Sequence, residues 1–258
     1  MKNLLIYISP DHKFLPEYEK LVRIQIDNSL ALGWKKEDLM LVQNFPFEYN
    51  GVKAIEVGDE NVCPFYMYSG KINTFVDMWK QGLVEKDTTY WYHDYDAFQN
   101  EVITEEELEL DKDVGMTDYG RKNNWNGGST FFKYGCLDIF ERMQKHIYRH
   151  KNPEPIEDHI EAYMKYSDEV AIKHLTDIDH NNINERIKRM NIKYNFNLRY
   201  IGAMYEQAEK EIKVLHFHRD RKYSNHTTGL DIALGRNELG RPLLHNRIIN
   251  LFKKHGYA

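Results

Sequence analysis

The chain has 258 residues, of which 41% are hydrophobic and 29% are charged, as in an ordinary globular protein. Its net charge of −5 gives no electrostatic basis for binding nucleic acid or an anionic membrane surface. We expect no membrane span, because no stretch approaches the roughly 20 apolar residues required. The N-terminal apolar run is too short for a signal peptide, and two cysteines are too few for a disulfide framework, so we expect a cytoplasmic protein.

Strand-like and helix-like segments alternate in the first part of the chain. The apolar runs that predict strands lie at residues 4–8, 38–43 and 52–57. An amphipathic pattern predicts a helix over residues 17–32 that ends at Gly33. A second helix is predicted over residues 69–83, with Ser69 as its N-cap and Gly82 as its terminator. Such alternation favours a parallel sheet covered by helices.

The most informative segment is a fourth predicted strand that ends in two aspartates. Residues 88–93 are β-branched or aromatic, and Asp94 and Asp96 follow them at i, i+2 spacing. In extended backbone this spacing places both carboxylates on the same side. Two convergent carboxylates suit a hard divalent cation, and ligands of open α/β sheets bind at the carboxyl ends of the strands. Taken alone, Asp-x-Asp is more often a simple turn, so the rest of the chain must decide.

The second half of the chain continues the pattern with less regularity. The first predicted elements are a helix start at 104–107, a strand at 114–118, a glycine pair leading into a strand at 125–133, and a helix at 136–149. A proline-limited turn at 152–159 then leads into a helix through Met164, and the segment 177–200 is predicted to be irregular. The last elements are a strand from Lys213 that ends in a basic loop at 219–222 and a C-terminal helix that ends near Gly256.

These segments, in this order, resemble the GT-A glycosyltransferases, and most closely the pattern of glycosyltransferase family 8, the glycogenin and lipopolysaccharide galactosyltransferase type. The motifs that carry the resemblance are Ile8-Ser9-Pro10-Asp11, Lys71, Asp94-Tyr95-Asp96, Asp118, Trp125-Asn126-Gly127-Gly128, and His216 with Lys222 six residues later. Arg219 stands where the family has a glycine. The resemblance implies a single GT-A type, Rossmann-like α/β domain over residues 1–258. Its mostly parallel sheet is flanked by helices, and residues 223–258 form a helical segment after the core of 1–222.

The resemblance also implies the site. Asp94, Asp96 and His216 would ligate a divalent ion, and mixed oxygen and nitrogen ligands suit Mn²⁺ somewhat better than Mg²⁺; His218 is the alternative imidazole. The residues expected to bind the nucleotide-sugar donor, by default a UDP-sugar, are Ile8, Ser9, Lys71, Asp94, Asp118, Asn126, Gly128 and Lys222. Lys222 would in addition stabilise the departing diphosphate. The acceptor is expected to be a hydroxyl, most naturally that of a glycan.

The stereochemistry of transfer is predicted from one further segment. Family 8 enzymes retain the anomeric configuration, but the family's Asp-Gln pair has only Asp158-His159 as a candidate here. Glu157-Asp158 resembles the acidic pair that many inverting GT-A enzymes place at a helix start. We therefore predict inversion, with Asp158 as the general base for the acceptor hydroxyl.

Two other functions remain open from the sequence. A metal-dependent nucleotidyltransferase shares the architecture, but it would want a glycine-rich loop after the first strand, and residues 9–13 contain no glycine. A sugar-binding or protein-binding α/β module without catalysis is the second, and the two aspartates of Asp-x-Asp argue weakly against it.

Overall fold

The computed structural model describes residues 1–119, 123–149, 159–198, 205, 208, 211–217, 222–224, 227–237 and 239–257, without the side chains of 159–160, 222–224 and 227. The helices in these ranges are α1 (Pro16–Ala31), α2 (Gly70–Lys80), α3 (Glu105–Leu108), α4 (Leu137–Ile147), α5 (His159–Tyr166), α6 (Asp168–Asp177), α7 (Ile183–Arg186), α8 (Gly229–Ala233) and α9 (Asn246–Lys254). The strands are β1 (Lys2–Tyr7), β2 (Leu39–Gln43), β3 (Glu48–Tyr49), β4 (Val52–Lys53), β5 (Ile55–Glu56), β6 (Tyr90–His93), β7 (Ala97–Gln99), β8 (Val114–Asp118), β9 (Trp125–Phe132), β10 (Ile187–Arg189), β11 (Phe196–Asn197), β12 (Val214–His216), β13 (Lys222–Ser224) and β14 (Thr227–Thr228).

The central sheet has seven strands in the order β10-β8-β9-β6-β1-β2-β5. Strand β9 is antiparallel to both of its neighbours, and every other pairing in the sheet is parallel. This confirms the predicted α/β class with a mostly parallel sheet. Because β1 and β6 are adjacent and parallel, their carboxyl ends open toward the same edge, where ligands of such sheets bind.

Helices cover both faces of the sheet. Alternate residues of β1 point to opposite sides, so that Leu4 and Ile6 pack with α2, α4 and α6 whereas Leu5 and Tyr7 pack with α1 and α9. Asp27 of α1 anchors the end of the chain: its carboxylate accepts hydrogen bonds from the side chains of Lys254 and His255. No helix in the described ranges is long and apolar enough to cross a membrane.

A second, three-stranded sheet has the order β11-β12-β7. Strand β12 is parallel to β11 and antiparallel to β7, with His216 opposite Ala97. Since β7 begins directly after the Asp94–Asp96 segment, this pairing carries the late part of the chain to the carboxyl end of β6. The second sheet therefore builds one wall of the site.

Some sequence predictions need correction. The predicted strand at 52–57 is divided, because β4 forms a hairpin with β3 whereas β5 pairs with β2 in the central sheet. The segment 177–200 was predicted to be irregular, but its described residues, 177–198, contain α7, β10 and β11. Asp179, Asn181 and Asn182 adopt positive φ angles there, and this tight polar turn interrupts the hydrophobic periodicity from which elements are predicted.

Candidate functional site

Asp94, Asp96 and His216 come together at the carboxyl end of β6. One ligand atom from each lies within 4.8 Å of the others. His216 Nε2 is 3.2 Å from Oδ1 of Asp96 and 3.9 Å from Oδ2 of Asp94. The imidazole is 3% exposed, whereas the carboxylates are 31% and 24% exposed. The imidazole is therefore the inner member of the group, and both carboxylates can be reached by a ligand from the region that we call the cleft.

A turn, rather than strand alternation, makes the two carboxylates converge. Strand β6 ends at His93, and the backbone N–H of Ala97 donates to the carbonyl of Asp94 at 3.0 Å. The N–H of Asp94 in turn donates to the carbonyl of Gly128 at 2.9 Å, which fixes the turn against β9. The prediction of two neighbouring carboxylates is confirmed, but the extended backbone assumed for it is wrong.

Gly128 provides the space for the imidazole of His216. A Cβ atom at this position would lie 2.2 Å from Cε1 and 2.3 Å from Nδ1 of His216. Gly128 is in a part of β9 where the register with β8 shifts between Met116 and Thr117, so the strand bulges there. The sequence had predicted that the glycine pair precedes a strand. The structure instead places both glycines inside one continuous strand, β9.

The electrostatics of the group favour a cation. Burial by itself would lower the pKa of His216, but the adjacent Asp96 carboxylate, with a further contribution from Asp94, raises it. Two carboxylates and one imidazole provide oxygen and nitrogen donors for a divalent transition-metal ion such as Mn²⁺. The mixed donor set and the exposure of both carboxylates fit a bound ion at this position.

Lys71 connects the group formed by Asp94, Asp96 and His216 to a second pair of acids. Its ammonium lies 3.3 Å from Oδ1 of Asp94 and 3.0 Å from Oδ2 of Asp168. Burial alone would lower the pKa of Lys71, but these two carboxylates raise it well above its ordinary value, so the side chain stays charged. A lysine in the first turn of a helix opposes the helix dipole. Its burial in the first turn of α2 therefore points to a role in the site.

Asp168 and Glu169 in the first turn of α6 are site residues that the sequence analysis missed. Oε1 of Glu169 accepts from the N–H of Gly127 at 3.1 Å, and Oε2 accepts from the hydroxyl of Tyr163 at 2.6 Å. Burial and the neighbouring Asp168 raise the pKa of Glu169. The only signal in the sequence was Ser167 followed by two acids, which predicts a helix start and says nothing of a site.

Tyr92 orients Asp94, the first of the two neighbouring aspartates. Its hydroxyl donates a short hydrogen bond to Oδ1 of Asp94, the same oxygen that contacts Lys71. Oδ2 of Asp94, the oxygen nearer to His216, is therefore the one oriented for an ion. Groups that hold a ligand in this way commonly contribute about 10- to 100-fold to metal affinity.

Changing Tyr92 to phenylalanine is expected to weaken Mn²⁺ binding about tenfold, because Asp94 loses the hydroxyl that orients it. Titration of the protein with Mn²⁺, followed by electron paramagnetic resonance, measures this affinity. Tyr90→Phe is the matched control: it removes a hydroxyl from the same strand, but one that bonds to the backbone of Leu83 and Glu85. Equal Mn²⁺ affinities of the two variants would contradict the role given to Tyr92.

Three predicted donor-binding residues lie at the ends of β1 and β8. The side chain of Ile8 packs in the hydrophobic core, and the backbone N–H and carbonyl of Ser9 both bond to the side-chain amide of Asn44. Asp118 ends β8 as predicted, but its carboxylate forms an ion pair with Arg189 of β10. The structure thus places Asp118 at the carboxyl end of β8, where Arg189 neutralises its charge.

Asn126 is fully buried, and its Oδ1 accepts from the N–H of Gly128 at 3.1 Å. Among the described residues its Nδ2 has no hydrogen-bond partner, which leaves a buried donor for a ligand.

Lys222 begins β13, although its side chain is not described. Asp158 and His218 lie outside the described residues.

The comparisons with known proteins find similarity in structure only. No family model matches the sequence, and no curated protein sequence matches it. The galactosyltransferase LgtC, solved in complex with donor and acceptor sugar analogs, superposes with a TM-score of 0.52 at 12% identity over 98% of this chain and 96% of LgtC. The glycosyltransferase GlyE of Streptococcus pneumoniae TIGR4 gives a TM-score of 0.51 at 14% identity over 88% of this chain, which spans 56% of GlyE. At these identities the likeness concerns the fold, and the chain has the GT-A type α/β fold of these glycosyltransferase structures.

Proposed function

We propose that this chain is a metal-dependent glycosyltransferase that transfers a sugar from a nucleotide-diphosphate sugar to an acceptor hydroxyl. The observation that carries the proposal is the group formed by Asp94, Asp96 and His216 at the end of β6, beside Lys71 and Asp168. The GT-A type fold supports it, since LgtC was solved with donor and acceptor sugar analogs. We further propose a UDP-sugar as the donor, cytoplasm as the location and residues 1–258 as one domain.

The metal-binding group is proposed to hold the diphosphate of the donor. A bound Mn²⁺ would provide Lewis-acid stabilisation of the negative charge that develops on the diphosphate as it leaves. Lys222 is proposed to add a mobile positive charge to the same phosphates, and the loop at Ile8 and Ser9 to hold the nucleotide base. Asp118 retains its proposed role in donor binding, although its ion pair with Arg189 would first have to open.

The sugar of the donor is proposed to lie over β9, between Lys71 and Asn126. The buried Nδ2 of Asn126 supports this position, because a sugar hydroxyl would satisfy a donor for which the described residues provide no acceptor. Gly127 and Gly128 keep side chains out of this region: a Cβ on Gly127 would lie 2.4 Å from Oδ2 of Asp168. The same carboxylate can accept a hydrogen bond from the sugar.

The proposal is tested by incubating the protein with a panel of nucleotide sugars in Mn²⁺ and measuring the slow hydrolysis of the donor. We expect hydrolysis of one sugar nucleotide, most readily a UDP-sugar, that stops on addition of excess chelator. A nucleotidyltransferase would instead release pyrophosphate from a nucleoside triphosphate. A binding module would show affinity for sugars and no hydrolysis. Either of these results would replace the glycosyltransferase assignment.

The catalytic residues are tested by the anomeric configuration of the product. We propose inversion with Asp158 as base, so Asp158→Asn should nearly abolish transfer and the product should be inverted by NMR. Glu169→Gln tests the competing base, since Glu169 is a second carboxylate beside Asp168, with hydrogen bonds to Gly127 and Tyr163. Loss of transfer in Glu169→Gln and normal transfer in Asp158→Asn would give the role of base to Glu169. A retained configuration, or near-normal transfer by Asp158→Asn, would remove the role of Asp158 as base.

Lys222→Ala should slow transfer by about 100- to 1,000-fold if the lysine stabilises the leaving group.

A further inference from the structure

A group of aromatic and thioether side chains lies beside the acidic pair of the cleft. Tyr66, Met67 and Tyr68 precede α2, and Tyr163 and Met164 lie on α5; we call these five residues the tyrosine patch. The rings of Tyr66 and Tyr68 are 5.3 Å apart, and those of Tyr66 and Tyr163 are 6.2 Å apart. Met67 and Tyr68 are each 46% exposed and Met164 is 59% exposed. The patch thus presents large side chains to solvent from two adjoining segments.

Hydrogen bonds connect the tyrosine patch to the cleft. The hydroxyl of Ser69 donates to the carbonyl of Tyr166 at 2.6 Å and so holds the turn before α2 against α5. The hydroxyl of Tyr163 donates to Glu169, one residue beyond the Asp168 that pairs with Lys71. Tyr66 is close enough to Asp168 for that carboxylate, after burial, to raise the pKa of its phenol. The patch is therefore continuous with the acidic pair of the proposed donor site.

We propose that the tyrosine patch binds the acceptor and that the acceptor is a pyranoside, the exposed ring of Tyr68 stacking on the sugar. The inference rests on the proposed function and specifies its second substrate. The face of a phenol ring carries the negative part of the quadrupole and attracts the C–H groups on one face of a pyranose. The sugar's hydroxyls would find acceptors in Glu169 and in the phenol oxygens of Tyr66 and Tyr163, at the edge of the same surface.

The polar groups at the border of the patch favour a neutral sugar over other partners of an exposed aromatic surface. Asp168 and Glu169 adjoin it, and the whole chain carries a net charge of −5. Lys71 neutralises part of this charge, so an anionic lipid headgroup or another polyanion would find no attracting positive surface there. Phenol hydroxyls interrupt the apolar surface, which suits a ligand with alternating C–H and O–H groups better than a lipid chain.

The test uses the full chain with Mn²⁺ and the sugar nucleotide that it hydrolyses, and offers methyl glycosides of glucose, galactose and N-acetylglucosamine as acceptors, with tyrosine amide as a hydroxyl acceptor that is not a sugar. We expect transfer to at least one methyl glycoside. Tyr68→Ala should raise the KM for that glycoside roughly tenfold, which is the upper range for loss of one aromatic stacking contact. Tyr68→Phe keeps the ring and should retain a KM near that of the wild type, which separates stacking from any effect on folding.

Tyr134→Ala is the matched control, because Tyr134 is 39% exposed but packs near Trp79 and Lys86, with no contact to the acidic pair. It should leave the glycoside KM and the ratio of transfer to hydrolysis unchanged. An unchanged KM in Tyr68→Ala, or transfer to tyrosine amide and to no glycoside, would overturn the acceptor inference while donor hydrolysis upheld the proposed function. If the wild type hydrolysed no sugar nucleotide, the proposed function would fail and this inference with it.

Discussion

Changing Asp96 to alanine is expected to abolish metal-dependent nucleotide binding and sugar transfer. Asp96 provides the carboxylate that lies 3.2 Å from His216, so its loss leaves the proposed ion with one carboxylate and one imidazole. Because a direct ligand matters more than the groups that orient it, we expect Mn²⁺ affinity to fall by more than about 100-fold. Isothermal titration of UDP in Mn²⁺ and in excess chelator measures both the nucleotide affinity and its dependence on metal.

The fold of the Asp96→Ala variant is expected to survive. Asp96 is partly exposed, and the backbone hydrogen bond from Ala97 to Asp94 that forms the turn does not involve its side chain. Asp87→Ala is the matched control: it removes the same charge from an exposed position at the opposite end of β6. Nucleotide affinity that is the same with and without chelator in the wild type would contradict the metal assignment altogether.

The elements that the sequence predicted well are those with a local signal. The run before Asp94 is β-branched and aromatic and forms β6, and the amphipathic stretch that begins near Ser69 forms α2. The cap of α2 was only half right, because the hydroxyl of Ser69 bonds to the carbonyl of Tyr166 and not to its own helix. A cap side chain is visible in a sequence, whereas the tertiary partner that engages it is not.

The sequence predicted the site residues whose relative positions follow from their spacing along the chain. It missed the site residues that only tertiary contacts bring together. Asp94 and Asp96 are neighbours in sequence, and His216 was found through the resemblance to a known family. Asp168 reaches Lys71 only because α6 packs against β9 and α4, and no local pattern records that approach. Acidic residues are common at helix starts because they complement the helix dipole. Asp168 and Glu169 therefore looked like ordinary helix-start residues, and their place in the site could not be predicted.

Changing Gly128 to alanine is expected to destabilise the protein for one identifiable reason, the overlap of the new Cβ with His216. Its φ angle is not in the left-handed region, so the backbone itself accepts alanine, and the obstacle is the imidazole of His216 at 2.2–2.3 Å from the new Cβ. Because His216 is buried, the ring has little room to move away. We expect Gly128→Ala to lower the free energy of unfolding by about 1–3 kcal/mol, the usual cost of overpacking, and to weaken Mn²⁺ binding by displacing the ring from Asp96.

A double-mutant cycle with His216→Ala tests this explanation. Removing the imidazole leaves space for the new methyl group, so Gly128→Ala should cost little stability in the His216→Ala background, with a coupling of about 1–3 kcal/mol between the two positions. Urea denaturation of the wild type, both single variants and the double variant measures the coupling. An equal cost in both backgrounds would show that the glycine is required for another reason. The two substitutions could show no coupling in stability while Gly128→Ala still lowers donor hydrolysis. The glycine would then be better explained by the close approach of a bound sugar to its backbone.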